Sequence, residues 1–215
     1  FMDIYPPGVR SRKIENINGL NMHVLEAGYD NCENKQCLVL LHGFPELAYS
    51  WRKVLLPLAD AGYYVIAPDQ RGYGYTEGWN DNFEGDISEY EITNLVKDII
   101  SLIFSTGRNS IDCLIGHDFG SIVAAHATLI RPDIFKAVVL MSAPFEGVPS
   151  IDFEPKEDII DVHKDMASLS KPRKHYQWYY STDQANSDMI NSKQGLKNFL
   201  RAYYHVKSGD WEGNK

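Results

Sequence analysis

Alternating strand-like and helix-like segments predict an α/β fold, a mostly parallel sheet with helices on both faces. Three observations carry that expectation. Cys37 to Leu41 and Ala137 to Met141 are unbroken apolar runs, the pattern of strands covered on both sides. Between them Ile92, Leu95, Val96, Ile99, Ile100 and Ile103 recur at helical spacing on one face. After Ser142-Ala143-Pro144 the texture changes to charge and proline over 148–174 and then to aromatic-rich helix, so 1–146 reads as the α/β core and 147–215 as a separate helical cap.

The elements follow in order. Lys13 to Asn16 and Asn21 to Leu25 are expected as strands around a turn at Asn18-Gly19, because Asn and Gly accept the backbone angles of a tight turn. Ser50 to Asp60 is expected as a helix ending before Gly62, and Tyr63 to Ala67 as the next strand. Asp86-Ile87-Ser88-Glu89 has the spacing of a capping box and is expected to open the long apolar-faced helix. Ile111 to Ile115 reads as a buried strand, and Ser121 to Ile130 as a helix closed by Arg131-Pro132.

Bulk properties narrow the function. The 215 residues suffice for one buried core plus an accessory segment, and 44% hydrophobic with 23% charged residues is ordinary for a soluble protein. A formal charge of −8 argues against nucleic acid, which needs a concentrated basic face. The apolar runs are too short for a membrane span. Cys32, Cys37 and Cys113 form no disulfide framework, which points to a reducing cytoplasm. Met2 is the expected natural start, with Phe1 an added residue.

The chemistry centres on Gly116-His117-Asp118-Phe119-Gly120, between a predicted strand and a predicted helix. The pattern is a nucleophile elbow, G-x-Nu-x-G, with aspartate where esterases carry serine. The turn pushes its central side chain outward, and the helix N-terminus behind it favours an anion. A carboxylate can attack a strained or activated sp3 carbon and leave an alkyl ester on the protein. Ser121 lies three residues past the elbow centre, so a serine hydrolase is disfavoured. His42-Gly43-Phe44-Pro45 follows the first buried strand, Trp51-Arg52 opens the first helix, and Asp69-Gln70-Arg71-Gly72-Tyr73-Gly74 follows the next strand. The backbone N–H groups of Phe44 and Phe119 are candidates for an oxyanion hole. His42 reads as a structural hydrogen-bonder at a pocket wall, His117 as pointing away from Asp118 by strand alternation, and Asp69 and Arg71 as loop anchors.

Together these motifs, in this order and spacing, resemble the aspartate-nucleophile branch of the α/β-hydrolase fold, and most of all the epoxide hydrolases. The resemblance covers nearly the whole chain. It implies that Asp118 opens an epoxide ring to an alkyl-enzyme ester, and that two cap tyrosines hydrogen-bond the epoxide oxygen. Tyr176, which follows His175, matches the first; Tyr204, seven residues before Trp211, matches the second, with Tyr203 as the alternative. A phenol is neutral near pH 7, with a pKa of about 10, and can donate to an oxygen becoming an alkoxide. His42, Pro45, Trp51 and Tyr203 are expected to line the substrate pocket, and the Phe44–Pro45 bond to be cis. The resemblance calls for no cofactor or metal, only an epoxide and water.

The chain also departs from the family. The water-activating histidine and its acid come after the cap in that family, and this chain ends at Lys215 inside or just past the cap. None of the seven histidines occupies that downstream region. Glu146 stands where some related dehalogenases place an acid and is read as a polar hinge residue. A fragment of a longer or split hydrolase is expected, able to form the ester but not to turn over, with an uncovered sheet edge open to association or to a C-terminal piece. Two other readings remain. One is a haloalkane or haloacid dehalogenase using the same ester, disfavoured because Phe119 stands where an indole N–H would hold halide. The other is a catalytically silent interaction fragment.

Overall fold

The computed structural model describes residues 4–145, 147 and 161–214. The chain divides into two compact units, Phe1–Pro149 and Ser150–Lys215.

The first unit is built on six strands. They are β1 (Arg10–Ile17), β2 (Leu20–Ala27), β3 (Cys37–Leu41), β4 (Tyr64–Pro68), β5 (Cys113–His117) and β6 (Val138–Met141), in the spatial order β1-β2-β4-β3-β5-β6. The pairs β1/β2 and β2/β4 are antiparallel, whereas β4/β3, β3/β5 and β5/β6 are parallel. The helices are α1 (Leu55–Asp60), α2 (Ile92–Ser105) and α3 (Phe119–Ile130). Two apolar clusters explain the continuous apolar strands. Leu38, Leu40, Val65 and Ala67 join Leu55 in one, while Val39, Leu41 and Ile66 meet Leu95, Ile99, Val123 and Ala127 in the other. Alternate residues thus face opposite layers, and both layers exclude water.

Between β3 and β5 the order reverses: β4 lies on one side of β3 and β5 on the other. Such a switch point opens a crevice at the carboxyl ends of the strands. The 42–45 loop leaves β3 there, and the elbow leaves β5. At the far side of the sheet β6 ends the order, with Val139 and Met141 exposed.

Two local expectations need correction. Residues 50–60 are not one helix: a 3-10 segment, Ala48–Lys53, precedes α1. Pro57 has no N–H to donate back to Lys53, so the α-helical ladder cannot run through this stretch. The capping box does not open α2 either. Asp86 accepts from the backbone N–H of Ser88 at 2.8 Å, Ser88–Tyr90 forms a separate 3-10 turn, and α2 starts after the extended Glu91. Glu89 is drawn instead to Arg71 at 2.7 Å. The charge-assisted bond outcompetes the cap.

The second unit holds α4 (Val162–Ala167), α5 (Tyr176–Tyr180), α6 (Gln184–Ile190) and α7 (Gly195–Val206). No described helix is long and apolar enough to cross a membrane.

Candidate active site

Asp118 sits at the junction of β5 and α3 with φ 53° and ψ −120°, a strained conformation for a residue with a side chain. The turn is held from three sides. The Asp118 N–H donates to Met141 O at 2.9 Å, and the Ser121 N–H donates to Asp118 O at 3.0 Å. The Ser121 hydroxyl, buried, bridges Gly116 O at 2.7 Å and Met141 O at 2.9 Å. This serine is a brace inside the elbow, out of reach as a nucleophile.

The glycines are required by close approach. A Cβ on Gly116 would collide with Gly120 O, one on Gly120 with Leu41 O, and one on Gly43 with the Asp118 side chain. The packing brings the 43–44 backbone onto the elbow carboxylate: the Phe44 N–H donates to Asp118 Oδ1 at 3.2 Å. The Phe44–Pro45 bond is cis, as expected. Asp118 and Phe119 are half-buried, and Phe119 begins α3, so the carboxylate lies at the positive end of a 12-residue helix.

Beside the elbow is a recess of about 380 Å3 lined by Phe44, Phe119, Gln70, Tyr73 and Trp79, among others. Tyr73 was not foreseen as a site residue. Burial, with the Asp118 charge adding to it, pushes its phenol up to about 12, so it is a neutral donor. Its ring meets His42 edge-on at 4.8 Å between centroids.

Two expected pocket residues lie elsewhere. His42 is fully buried; its Nε2 accepts from the Gln70 N–H at 3.1 Å, so its Nδ1 donates to Gly43 O at 2.9 Å. Burial pushes its pKa down, the Gly43 hydrogen bond only partly opposing this, and the ring stays neutral. It ties two loops together behind the recess wall. Trp51 is 7% exposed and packs in the core with Leu25, Leu40 and Leu55. The 3-10 turn aims it inward, a direction a continuous helix from residue 50 would not have set. Pro45 is half-buried.

His117 Nδ1 meets Glu46 Oε2 at 2.9 Å. Arg71 is an anchor, paired with Asp98 at 2.8 Å and 2.9 Å. Glu146 lies outside the described residues. Among the described residues no cluster of metal ligands occurs.

In the second unit Tyr176 and Tyr204 are both exposed. The Lys207 ammonium donates to the Tyr203 hydroxyl at 2.6 Å and lies over the rings of Tyr176 and Tyr203, 4.7 Å and 4.5 Å from their centroids. Tyr203 and Tyr204 rings meet edge-on at 5.7 Å. The lysine therefore joins Tyr176 to Tyr203, the alternative phenol, and Tyr204 adjoins that group.

A family model described as the alpha/beta hydrolase fold matches residues 36–182, from β3 through the elbow into the second unit. The chain belongs to the α/β-hydrolase fold family. Within it, the chain is 39% identical over 137 residues to epoxide hydrolase A of Mycobacterium tuberculosis, covering 64% of this chain and 40% of that protein. Epoxide hydrolase B of the same organism matches at 32% identity over 92% of this chain and 54% of its own length. Among solved structures, the epoxide hydrolase VrEH1 from Vigna radiata superposes with a TM-score of 0.69 at 32% identity, over 92% of this chain and 54% of that one. Potato epoxide hydrolase I gives a TM-score of 0.70 at 30% identity, over 92% and 56%. The chain thus spans between two-fifths and somewhat over half of these relatives, 40% to 56%.

Proposed function

We propose that the chain carries the ring-opening half of an epoxide hydrolase. Phe1–Pro149 is the hydrolase core and Ser150–Lys215 its cap. Asp118 is the nucleophile, and the observation that carries the reading is its geometry: a strained, half-buried carboxylate at a helix N-terminus with Oδ1 accepting from Phe44 N–H. That bond engages Oδ1 and leaves Oδ2 to attack. Oδ2 bonds to an epoxide carbon, the ring C–O bond breaks, and its electrons go to the oxygen, which takes a proton from a cap phenol. The product is a β-hydroxyalkyl ester. Tyr176 and Tyr204 supply the donors, with Tyr203 as the alternative to Tyr204. The Phe44 and Phe119 N–H groups then face the ester carbonyl oxygen, where charge develops when water attacks to release a vicinal diol. The similarity to proteins named epoxide hydrolase supports the substrate class.

On this reading the second half needs a base for water, and no described core histidine meets the Asp118 carboxylate. Among the described core residues His23 meets Asp69 and Ser11, His42 meets Gln70 and Gly43, His117 meets Glu46, and His126 meets Ile122 O. We propose that the ester accumulates unless a base comes from outside this group. The exposed β6 edge is where a second polypeptide would add strands, and three free cysteines suit a cytoplasmic setting.

The test is intact mass after incubation with a small aryl epoxide, with diol assayed in parallel. One epoxide mass added per chain, mapped to Asp118, with less than one equivalent of diol is expected. No adduct and no diol would leave the chain a silent fragment. Continued diol release would put a working base among the histidines present.

A further inference from the structure

A second nucleophile array lies on the opposite side of the sheet order, away from the elbow. In the β1/β2 register Ser11 faces Leu25 and Lys13 faces His23. Ser11 and His23 are therefore diagonal neighbours on one face, close enough for their side chains to meet. Asp69 follows β4, and its N–H donates to His23 O at 2.9 Å, which brings its carboxylate to the same histidine. The resulting contacts are His23 Nδ1 to Asp69 Oδ2 at 2.7 Å and His23 Nε2 to Ser11 Oγ at 2.9 Å.

The protonation pattern follows from the partners. Asp69 is almost fully buried. Burial alone would raise its pKa, but His23 and the backbone N–H groups of Tyr75 and Ala48 hold it below the usual carboxylate range. An ionised carboxylate only accepts, so Nδ1 carries the hydrogen, and the tautomer with no hydrogen on Nε2 offers that nitrogen as acceptor. In that tautomer the Ser11 hydroxyl donates to Nε2 at 2.9 Å. That order of serine, imidazole and carboxylate activates a serine for attack.

The surroundings suit a small apolar ester. A recess of about 370 Å3 adjoins the histidine and is lined by Tyr5, Leu25, Leu47, Tyr49 and Tyr75 as well as His23 and Asp69. Ser11 is exposed and reaches the recess through its contact with His23, one of the lining residues.

We infer that Ser11, His23 and Asp69 form a second reactive site, independent of Asp118, that accepts acyl groups from small aryl or alkyl esters. Ser11 Oγ bonds to the ester carbonyl carbon while its proton passes to His23 Nε2. The bond from that carbon to the alcohol oxygen then breaks, and the departing oxygen takes the proton from Nε2. Acyl-Ser11 and free alcohol result, and water reverses the sequence to give the acid. Asp69 is a positioning residue, and the Tyr5 phenol, which lines the same recess, is the candidate donor to the developing oxyanion.

The experiment is incubation of the full chain with p-nitrophenyl acetate, followed by release of nitrophenolate and peptide mass mapping, which separates an acetyl group on Ser11 from any adduct elsewhere. Acetylation of Ser11 at least about 100-fold faster than in His23→Gln is expected, the lower range for losing a positioned base. Ser11→Ala, a surface change, should abolish that adduct, and thermal unfolding checks that both variants are folded. Equal Ser11 labelling in wild type and folded His23→Gln would overturn the proposal, as would no label on Ser11 while lysines or tyrosines are acetylated. Because the adduct is mapped, failure here leaves the epoxide reading untouched, and the reverse holds.

Discussion

The two units contrast in how their proposed site residues are held. Around Asp118 every backbone neighbour is fixed: Met141, Ser121 and Phe44 each bond the elbow, and three glycines are there because no side chain fits. In the second unit Ala185 is the one buried residue among described residues 161–214, and Tyr176, Tyr203 and Tyr204 lean on one another and on Lys207. A carboxylate held by its own turn and by fixed backbone of neighbouring loops is preorganised. Phenols on lightly buried helices take their positions from whatever the helices pack against. The difference predicts that changes in the first unit act all or none, whereas changes in the second act by degree.

The largest effect tests the fixed side of that contrast. Asp118→Asn should abolish adduct formation with epoxide, because the amide has no anionic oxygen. The elbow itself should persist, since Asn tolerates positive φ. Loss of the adduct with unchanged thermal unfolding is the expected result. An Asn variant that forms adduct at the wild-type rate, with deamidation excluded by mass, would remove Asp118 from the chemistry.

The graded side is tested by phenols. Tyr176→Phe should slow single-turnover ester formation roughly 10–1000-fold, the range for losing one positioned donor. Tyr203→Phe and Tyr204→Phe compete for the second role. Tyr204→Phe is expected to show the larger loss; if Tyr203→Phe does instead, the phenol bound by Lys207 is the donor. No loss in any of the three would mean that the second unit takes no part in ring opening.

Acid should separate the units next. Glu26 is fully buried; burial would raise its pKa, but Arg12, Tyr64 and Arg10 hold it below the usual glutamate range. Asp69 is likewise held below 3.8. A carboxylate with a depressed folded pKa contributes stability above its unfolded pKa and loses it as pH falls through the folded value. Urea midpoints of the core should therefore drop below about pH 4.5. Glu26→Gln should cost about 1.5–3 kcal/mol near neutral pH, the range for hydrogen bonds to a charged group, and flatten that drop. An unchanged acid limb in Glu26→Gln would place the titration elsewhere.

How much of this was legible in the chain depends on the range of the interaction. The elbow and the strand runs could be read because each is decided within a few residues, and the cis Phe44–Pro45 bond followed from the family resemblance. Their assembly into an α/β-hydrolase sheet followed from the alternation. The errors came from contacts distant in sequence. Glu89 was read as a cap, but Arg71 takes it from 18 residues away. Tyr73 looked like a loop residue, because nothing local says that β3 and β5 would bring Asp118 beside it. His42 was rightly read as a hydrogen-bonder, but its complete burial depends on Gln70 from another loop. The cap tyrosines were legible only as a pattern, and the choice between Tyr203 and Tyr204 depends on packing no short motif encodes.

The smallest expected effect concerns Trp51, expected in the pocket and found in the core. Its indole Nε1 is buried with no hydrogen-bond partner among the described residues. Trp51→Phe removes that unsatisfied donor, whose burial costs about 1–3 kcal/mol. It also leaves a void where the larger ring packed against Leu40 and Leu55, with a cost of similar size. The two oppose, so urea unfolding should show a change within about 1.5 kcal/mol in either direction. Ester formation at Asp118 should keep its rate within about threefold, since a core residue acts only through the wall behind the recess. A stability loss above about 3 kcal/mol would mean that the indole N–H has a partner, most simply a buried water. A rate change of tenfold or more at unchanged stability would return Trp51 to the pocket wall, and the first unit's site would then extend through its apolar core.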